Sequence, residues 1–210
     1  MSARPVLILG AGGHGKVVAD ALRAAGCEML GFLDRNGEAA GPFGLPVLGS
    51  DDALGRFDAS KIALAIGVGS TGDCTARRRL FQKGKAAGFG FVTIVHPRAA
   101  VSDAAVLREG VQIMAGAVVQ AEAEIGENVI VNTGAIIDHD CRIGAHCHIA
   151  PGATLSGCVS LGADSHIGTG ASLIQGVSLG ERCLVAAGAA VVGSFGDDIR
   201  LIGVPARAAS

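Results

Sequence analysis

The sequence predicts an α/β unit with a parallel, Rossmann-like sheet, followed by a left-handed parallel β-helix wound from hexapeptide repeats. Three observations predict this. A Val, Ile or Leu falls on every sixth residue, without a miss, from Val101 to Val191. A small residue follows four places after each, in the series Ala105, Val111, Ala117, Ala123, Val129, Ala135, Cys141, Cys147 and onward to Ala189. Ahead of these hexads, buried strands alternate with glycine turns and helices, and no Phe lies between Phe91 and Phe195. A period of six fits neither a 3.6-residue helix nor an alternating strand. It fits a coil in which three hexads close one triangular turn and each turn stacks on the last.

Composition bounds the function. A chain of 210 residues has room for one large or two modest domains, and half its residues are apolar. The net charge of −2 gives no electrostatic case for nucleic acid or an anionic membrane. Trp and Tyr are absent, which removes the usual platforms for stacked bases. Residues 1–5 run straight into a strand without the apolar stretch of a signal peptide, and no apolar run reaches the length of a membrane span. Of the scattered cysteines, Cys141, Cys147 and Cys183 occupy the small inward register, where a reduced thiol acts as a small hydrophobe. The expectation is a cytoplasmic protein without a disulfide framework.

Each element follows from local pattern. Val6–Leu9 is a buried strand, residues 10–15 a tight glycine turn, and residues 16–25 a helix. Met29–Leu33 is a second strand ending at Asp34, and residues 36–50, rich in Gly and Pro, are loop. Residues 61–66 form a third strand, with a turn at 67–70. Residues 75–87 form a helix whose run Arg77, Arg78, Arg79 reads as a solvated face, and residues 91–95 form a last strand. This places a Rossmann-like domain at 1–95 and a β-helix domain with its tail at 96–210. The hexads make about five coils, about 4.8 Å apart. The third and fourth positions of each hexad lie at corners, where successive side chains both point outward. Most proteins of this architecture transfer acyl groups.

Three groups of residues carry chemistry. Gly10-Ala11-Gly12-Gly13-His14-Gly15 follows a strand, opens a helix, and has Asp34 at the end of the next strand. Backbone N–H groups at such a turn suit phosphate oxygens. Only one mononucleotide-binding half is visible, which favours the diphosphate of a nucleotide sugar; NAD binding and a purely structural turn are the alternatives. At one corner stand His139 and Asp140, with Ala121 and Gly157 in the coils on either side. A carboxylate beside an imidazole orients it and raises its basicity, as a general base requires, while the bland reading is a solvated polar corner. His148 and His166, eighteen residues apart, stack in adjacent coils. With His146 they offer three readings: a zinc set, if all three converge; a ligand-contacting His148; or plain surface histidines. Asn132, also outward, either positions substrate or is merely exposed.

Together these features resemble the sialic-acid O-acetyltransferase and bacterial nucleotide-amino-sugar N-acetyltransferase family over essentially the whole chain. The resemblance rests on residues 9–15, the Gly-Leu-Pro-Val-Leu-Gly loop at 44–49, Val95-His96-Pro97, Asn132-Thr133, residues 138–141, residues 149–153 and the terminal Gly-Val-Pro-Ala-Arg at 203–207. It implies His139 as catalytic base with Asp140 as its acid, in a position where some members carry Glu. It implies acetyl-CoA contacts at His148, Thr169 and Ala187, and an oxyanion-stabilising amide at Gly157. It implies a nucleotide-sugar site at Gly12, Gly13, His14, Asp34, Arg35 and Gly67, and a homotrimer with cofactor sites between neighbouring β-helices. The activity so implied is N-acetylation, without a metal, of a 4-amino-deoxy sugar carried on a nucleotide diphosphate. Sugar O-acetylation uses the same base. NAD-dependent oxidoreduction and a non-catalytic trimeric scaffold are the remaining alternatives.

Overall fold

The computed structural model describes residues 4–35 and 40–209. Residues 1–3 of the amino-terminal stretch and 36–39 of the expected loop lie outside the described residues. The first unit is a parallel sheet of β1 (Val6–Leu9), β2 (Met29–Leu33) and β3 (Ala63–Ile66), in the order β2-β1-β3. β1 is apolar throughout because both its faces are covered. Val6 and Ile8 pack with Val18 and Leu22 of α1 (Gly13–Ala24), whereas Leu7 and Leu9 pack with Leu54, Phe89 and Phe81 of α2 (Thr75–Ala86).

The remainder is a parallel coil with three sheets. Sheet one carries the rungs Gln112–Ile113, Ile130–Val131, His148–Ile149, His166–Ile167 and Leu184–Val185, followed by Arg200–Ile202 and, antiparallel to it at the end, Arg207–Ala208. Sheet two runs from Ala100–Val101 to Ala190–Val191, and sheet three from Val106–Leu107 to Ser178–Leu179. Rungs pair at the eighteen-residue offset, as in Ile130 with His148 and His148 with His166. The aliphatic and small registers fill the prism together. Left-handed backbone at Asp140 (φ 58°) and Cys158 (φ 60°) turns the corners. Among the described residues no helix is long and apolar enough to cross a membrane.

Two expectations are corrected. The strand read at residues 91–95 divides: Phe91 bridges Leu64, whereas β4 (Ile94–Val95) pairs with Gln112–Ile113 as the first rung of the coil. The coil therefore starts at Val95, six residues before Val101 and in the same hexad register. The arginine run is not a solvated face, since only Arg79 is exposed. Arg77 is fully buried where α2 meets the coil, donating to the carbonyls of Asn128, His146 and Cys147. Corner carbonyls with spare acceptor capacity and no water need such a donor. Arg78 pairs with Asp164 on the coil.

This docking covers the outer face of sheet one. Gln112, Ile130, His148 and His166 all point outward from the prism, yet all are buried. The reading of His148 and His166 as surface histidines fails for that reason: hexad periodicity reports the inside of a coil and says nothing about what packs on its outside.

Candidate active site

At the corner between sheets two and three, the left-handed residue Asp140 turns both its own side chain and that of His139 outward. Asp138 Oδ1 accepts the His139 backbone N–H at 2.8 Å, fixing the corner. His139 Nδ1 lies 2.7 Å from Asp140 Oδ2. A carboxylate only accepts, so Nδ1 carries the proton and Nε2 presents a lone pair. The Asp140 hydrogen bond raises the pKa of His139 above the ordinary histidine value. Gly157, one coil on, is buried beneath the ring: a Cβ there would stand 2.5 Å from His139 Cε1 and Nε2. Cys158 adds an exposed thiol to this corner, with polar atoms of His139, Asp140 and Cys158 all within 4.8 Å of one another. Sequence reading passed over Cys158, although its offset of eighteen from Asp140 marks it.

A second locus is a cleft of about 680 Å³ between the α/β unit and the coil, lined by Gly13, His14, Ser70, Asn132, Thr133 and His148. Hydrogen bonds fix the ring states here. Asn132 Oδ1 accepts the Thr133 N–H at 2.8 Å, so the Asn132 amide group donates to His148 Nε2 at 3.0 Å. His148 Nδ1 therefore holds the proton and donates toward Ser70 O at 3.0 Å and Ser70 Oγ at 2.8 Å. Burial, reinforced by His166, Arg77 and His14, lowers the pKa of His148 to about 3, so the ring is neutral. His14 Nε2 meets Gln112 Oε1 at 2.8 Å. His146 instead faces Asn128 and Phe81. The set His146, His148 and His166 does not converge on a point, which removes the zinc reading of these three residues.

The glycine turn divides by what its atoms face. A Cβ on Gly15 would lie 2.3 Å from Gly10 O, and one on Gly67 would lie 2.1 Å from the same atom. These glycines let the turn, the helix and β3 close on one another. A Cβ on Gly12 or Gly13 would meet nothing within 4 Å, so their backbone is open to a ligand. Asp34 Oδ2 accepts the Ala11 N–H at 2.7 Å, tying the end of β2 to the turn. A hollow of about 390 Å³ on the α1 side includes Gly12, Lys16 and Asp34. Another of about 490 Å³, over the strand ends, includes Gly10, Asp34, Arg35 and Val68. Arg35 is exposed, 4.0 Å from Asp51.

The expected site residues thus fall into separate groups within one chain. Asn132 and Thr133 stand at one edge of sheet two, and the stacking of Thr133, Pro151, Thr169 and Ala187 puts the last two on that same edge. His148 lies next to this edge, on sheet one. His139 and Gly157 stand at the opposite edge of sheet two. One copy of the chain does not bring the His139 imidazole to His148, Thr169 or Ala187.

Comparison with known proteins completes this picture. Residues 5–83 match the PglD N-terminal domain. Residues 104–139 and 122–157 match the bacterial transferase hexapeptide (six repeats), and residues 158–192 the hexapeptide repeat of succinyl-transferase. The chain is similar to a histidine mutant of perosamine N-acetyltransferase from Caulobacter crescentus, solved in complex with CoA and GDP-perosamine. The two share 40% identity over 100% of this chain and 98% of that one, with a TM-score of 0.93. It is also similar to the acetyltransferase domain of PglB from Neisseria gonorrhoeae FA1090 in complex with acetyl coenzyme A, at 37% identity over 99% of this chain and 100% of that one, TM-score 0.93. WeeI from Acinetobacter baumannii AYE shares the fold, at 24% identity over 99% of this chain and 100% of that one, TM-score 0.89. A comparison with curated proteins gave no match.

Proposed function

We propose, because this chain belongs to the nucleotide amino-sugar N-acetyltransferase family, that His139 is the general base for acetylation of a 4-amino-deoxy sugar carried on a nucleoside diphosphate. The enzyme is an acyltransferase that moves the acetyl group of acetyl-CoA to the amine of a nucleotide amino sugar. The observation that carries our assignment of the base is the His139–Asp140 pair, with Nδ1 tied at 2.7 Å and Nε2 bare.

The chemistry follows from those two nitrogens. A sugar ammonium cannot attack until it loses a proton. His139 Nε2 takes that proton, while Asp140 stabilises the imidazolium that results. The free amine attacks the thioester carbonyl, and the Gly157 N–H stabilises the developing oxyanion, a contribution worth about 3–4 kcal/mol in comparable sites. His139 then gives that proton to the departing CoA thiolate, and the second proton, carried on the attacking nitrogen in the tetrahedral intermediate, passes to solvent as the amide forms. The open amides of Gly12 and Gly13 receive the diphosphate, with Asp34 and Arg35 toward the nucleoside and Gly67 closing the floor of the turn. His148, Thr169 and Ala187 face the acyl-CoA, and Asn132 positions the reacting groups.

A homotrimer supplies the missing proximity. The outward residues of sheet two, Ala100, Val118, Ile136, Thr154, Ser172 and Ala190, include no charge, whereas sheet three carries the exposed pair Arg142–Glu124. Three copies packed through sheet two around a threefold axis set the His139 edge of one beside the Asn132–Thr169–Ala187 edge of the next. Replacing His139 with Ala tests the base: acetyl-CoA and nucleotide-sugar binding should persist while thiol release collapses, and near-normal turnover would rule the role out. Parallel assays with amino- and hydroxyl-bearing sugar nucleotides separate N- from O-transfer.

A further inference from the structure

We propose that Gln112 is a positioning residue for substrate recognition, holding His14 so that its Nδ1 lone pair accepts a hydrogen bond from a donor group on the sugar. The proposal rests on the nucleotide-sugar reading of His14 and deepens it, because it assigns this ring to the sugar's hydroxyl or amine and not to the diphosphate.

Gln112 is the outward residue of a coil rung, yet only 2% of its surface is exposed. Its Nε2 donates to Ile66 O, the last carbonyl of β3, at 2.7 Å. A carbonyl only accepts, so the amide orientation is fixed and the atom 2.8 Å from His14 Nε2 is Oε1, also an acceptor. His14 Nε2 must therefore carry the proton. Burial, the largest influence, lowers the pKa of His14; the Gln112 hydrogen bond opposes it by less, and Arg77 lowers it further. The ring is accordingly neutral, and Nδ1 keeps its lone pair.

That lone pair has an open approach. A Cβ at Gly69 would stand 3.9 Å from His14 Nδ1 and 3.4 Å from its own Cβ, so the missing side chain leaves the Nδ1 side clear. Both residues line the cleft that also holds Asn132 and His148. The other ring of the cleft has nothing equivalent to offer: His148 spends Nδ1–H on Ser70 and its Nε2 lone pair on Asn132. A neutral acceptor repels phosphate oxygens and selects a donor. Were Gln112 a carboxylate, it would favour the imidazolium, and His14 would present an N–H where it now presents a lone pair.

The test begins with the wild-type protein. Two-bond ¹H–¹⁵N spectra of histidine-labelled protein at pH 7 should show His14 neutral and protonated on Nε2. The Nδ1 signal should move when UDP- or GDP-linked 4-amino sugars are added, and stay in place with UDP or GDP alone. Gln112→Met should mix the His14 tautomers and raise KM for the nucleotide sugar about tenfold, the loss of one hydrogen bond, with KM for acetyl-CoA unmoved. Gln112→Glu should give a cationic His14 with the same KM defect. Finding His14 cationic or Nδ1-protonated in the wild type overturns the proposal. So does an equal response to the free nucleotides, or a Gln112→Met variant with wild-type tautomer and KM. Failure of the acetyltransferase reading would look different: no thiol release from the wild type with any sugar nucleotide, whatever the His14 tautomer.

Discussion

Gly157→Ala isolates the geometry of the proposed base. The backbone at 157 is not left-handed, so Ala is tolerated conformationally and retains the N–H. The added methyl would stand 2.5 Å from His139 Cε1 and Nε2 and 3.1 Å from Nδ1. Carbon atoms in contact sit about 3.5–4.0 Å apart, so the imidazole must retreat by about 1 Å. That retreat opens the 2.7 Å bond to Asp140 and moves Nε2 off the reacting amine. A misplacement of about 1 Å costs about 100-fold in rate, or about 2.7 kcal/mol in the barrier. Stopped assays of free CoA thiol should therefore show kcat down about 100-fold. The melting temperature should hold, because His139 is exposed and has room to move. The double variant with His139→Ala should be no slower than His139→Ala alone, since both changes act through one ring. A Gly157→Ala enzyme with wild-type kcat, or additive losses in the double variant, would refute the reasoning.

The other predictions address the remaining parts of the molecule. Asp140→Asn replaces the carboxylate by a neutral amide and weakens the hydrogen bond that raises the His139 pKa, so the acidic limb of kcat/KM should move to lower pH and the plateau should fall; an unmoved limb contradicts the pairing. Mixing His139→Ala with Asn132→Ala, each expected to be nearly inactive, should regain activity after subunit exchange, because in the proposed trimer a mixed assembly would hold one intact composite site; no regain despite proven exchange argues against a site shared between copies. Arg77→Ala strands the Asn128 and His146 carbonyls and takes one of two donors from the Cys147 carbonyl, which keeps the Ile130 N–H, and should cost about 3 kcal/mol or more by denaturant unfolding; a cost below about 1 kcal/mol would show that water replaces the guanidinium. His148 has a folded pKa of about 3, below that of an unfolded histidine. Its contribution is complete above about pH 6.5 and is lost as pH falls toward 3, because the unfolded chain then binds the proton that the native ring refuses. Stability should decline across that window, less steeply in His148→Gln; identical slopes would dispute the burial.

How much of this was legible in the sequence depended on which surface a residue faces. The prism interior repeats chemically, so residues 101–191 announced their rungs, and the offset of eighteen put Gly157 under His139 before any coordinates. β4 escaped because Val95, although it stands six residues before Val101 in the hexad register, closes the apolar stretch 91–95, which reads as one more strand of the α/β unit. The outside of the coil has no such grammar. Gln112 interrupts an apolar column between Ile94 and Ile130, which was a signal of something docked there, but only the docked α/β unit shows what. Arg77 was misread because a basic run ordinarily faces water, and its buried carbonyl partners lie 51 to 70 residues away. The glycine turn was read as a single phosphate cradle. Structure separates Gly12 and Gly13, open to a ligand, from Gly15 and Gly67, which are there for close packing.

The histidines themselves argue for where the proton moves. A general base must exchange its proton near neutral pH and reach solvent or substrate to do so. Burial pushes His14, His146, His148 and His166 down, so these rings stay neutral and serve as fixed donors or acceptors. His139 moves the other way, raised by a carboxylate that stays with it at an exposed corner. The fold produces both behaviours from one residue type. The α/β unit removes sheet one's histidines from water, and the corner of the coil keeps His139 in contact with it. Placing any sheet-one histidine in the base role would require undoing the docking that Arg77 secures. Placing His139 there requires only a neighbouring copy to bring an acyl-CoA to its edge.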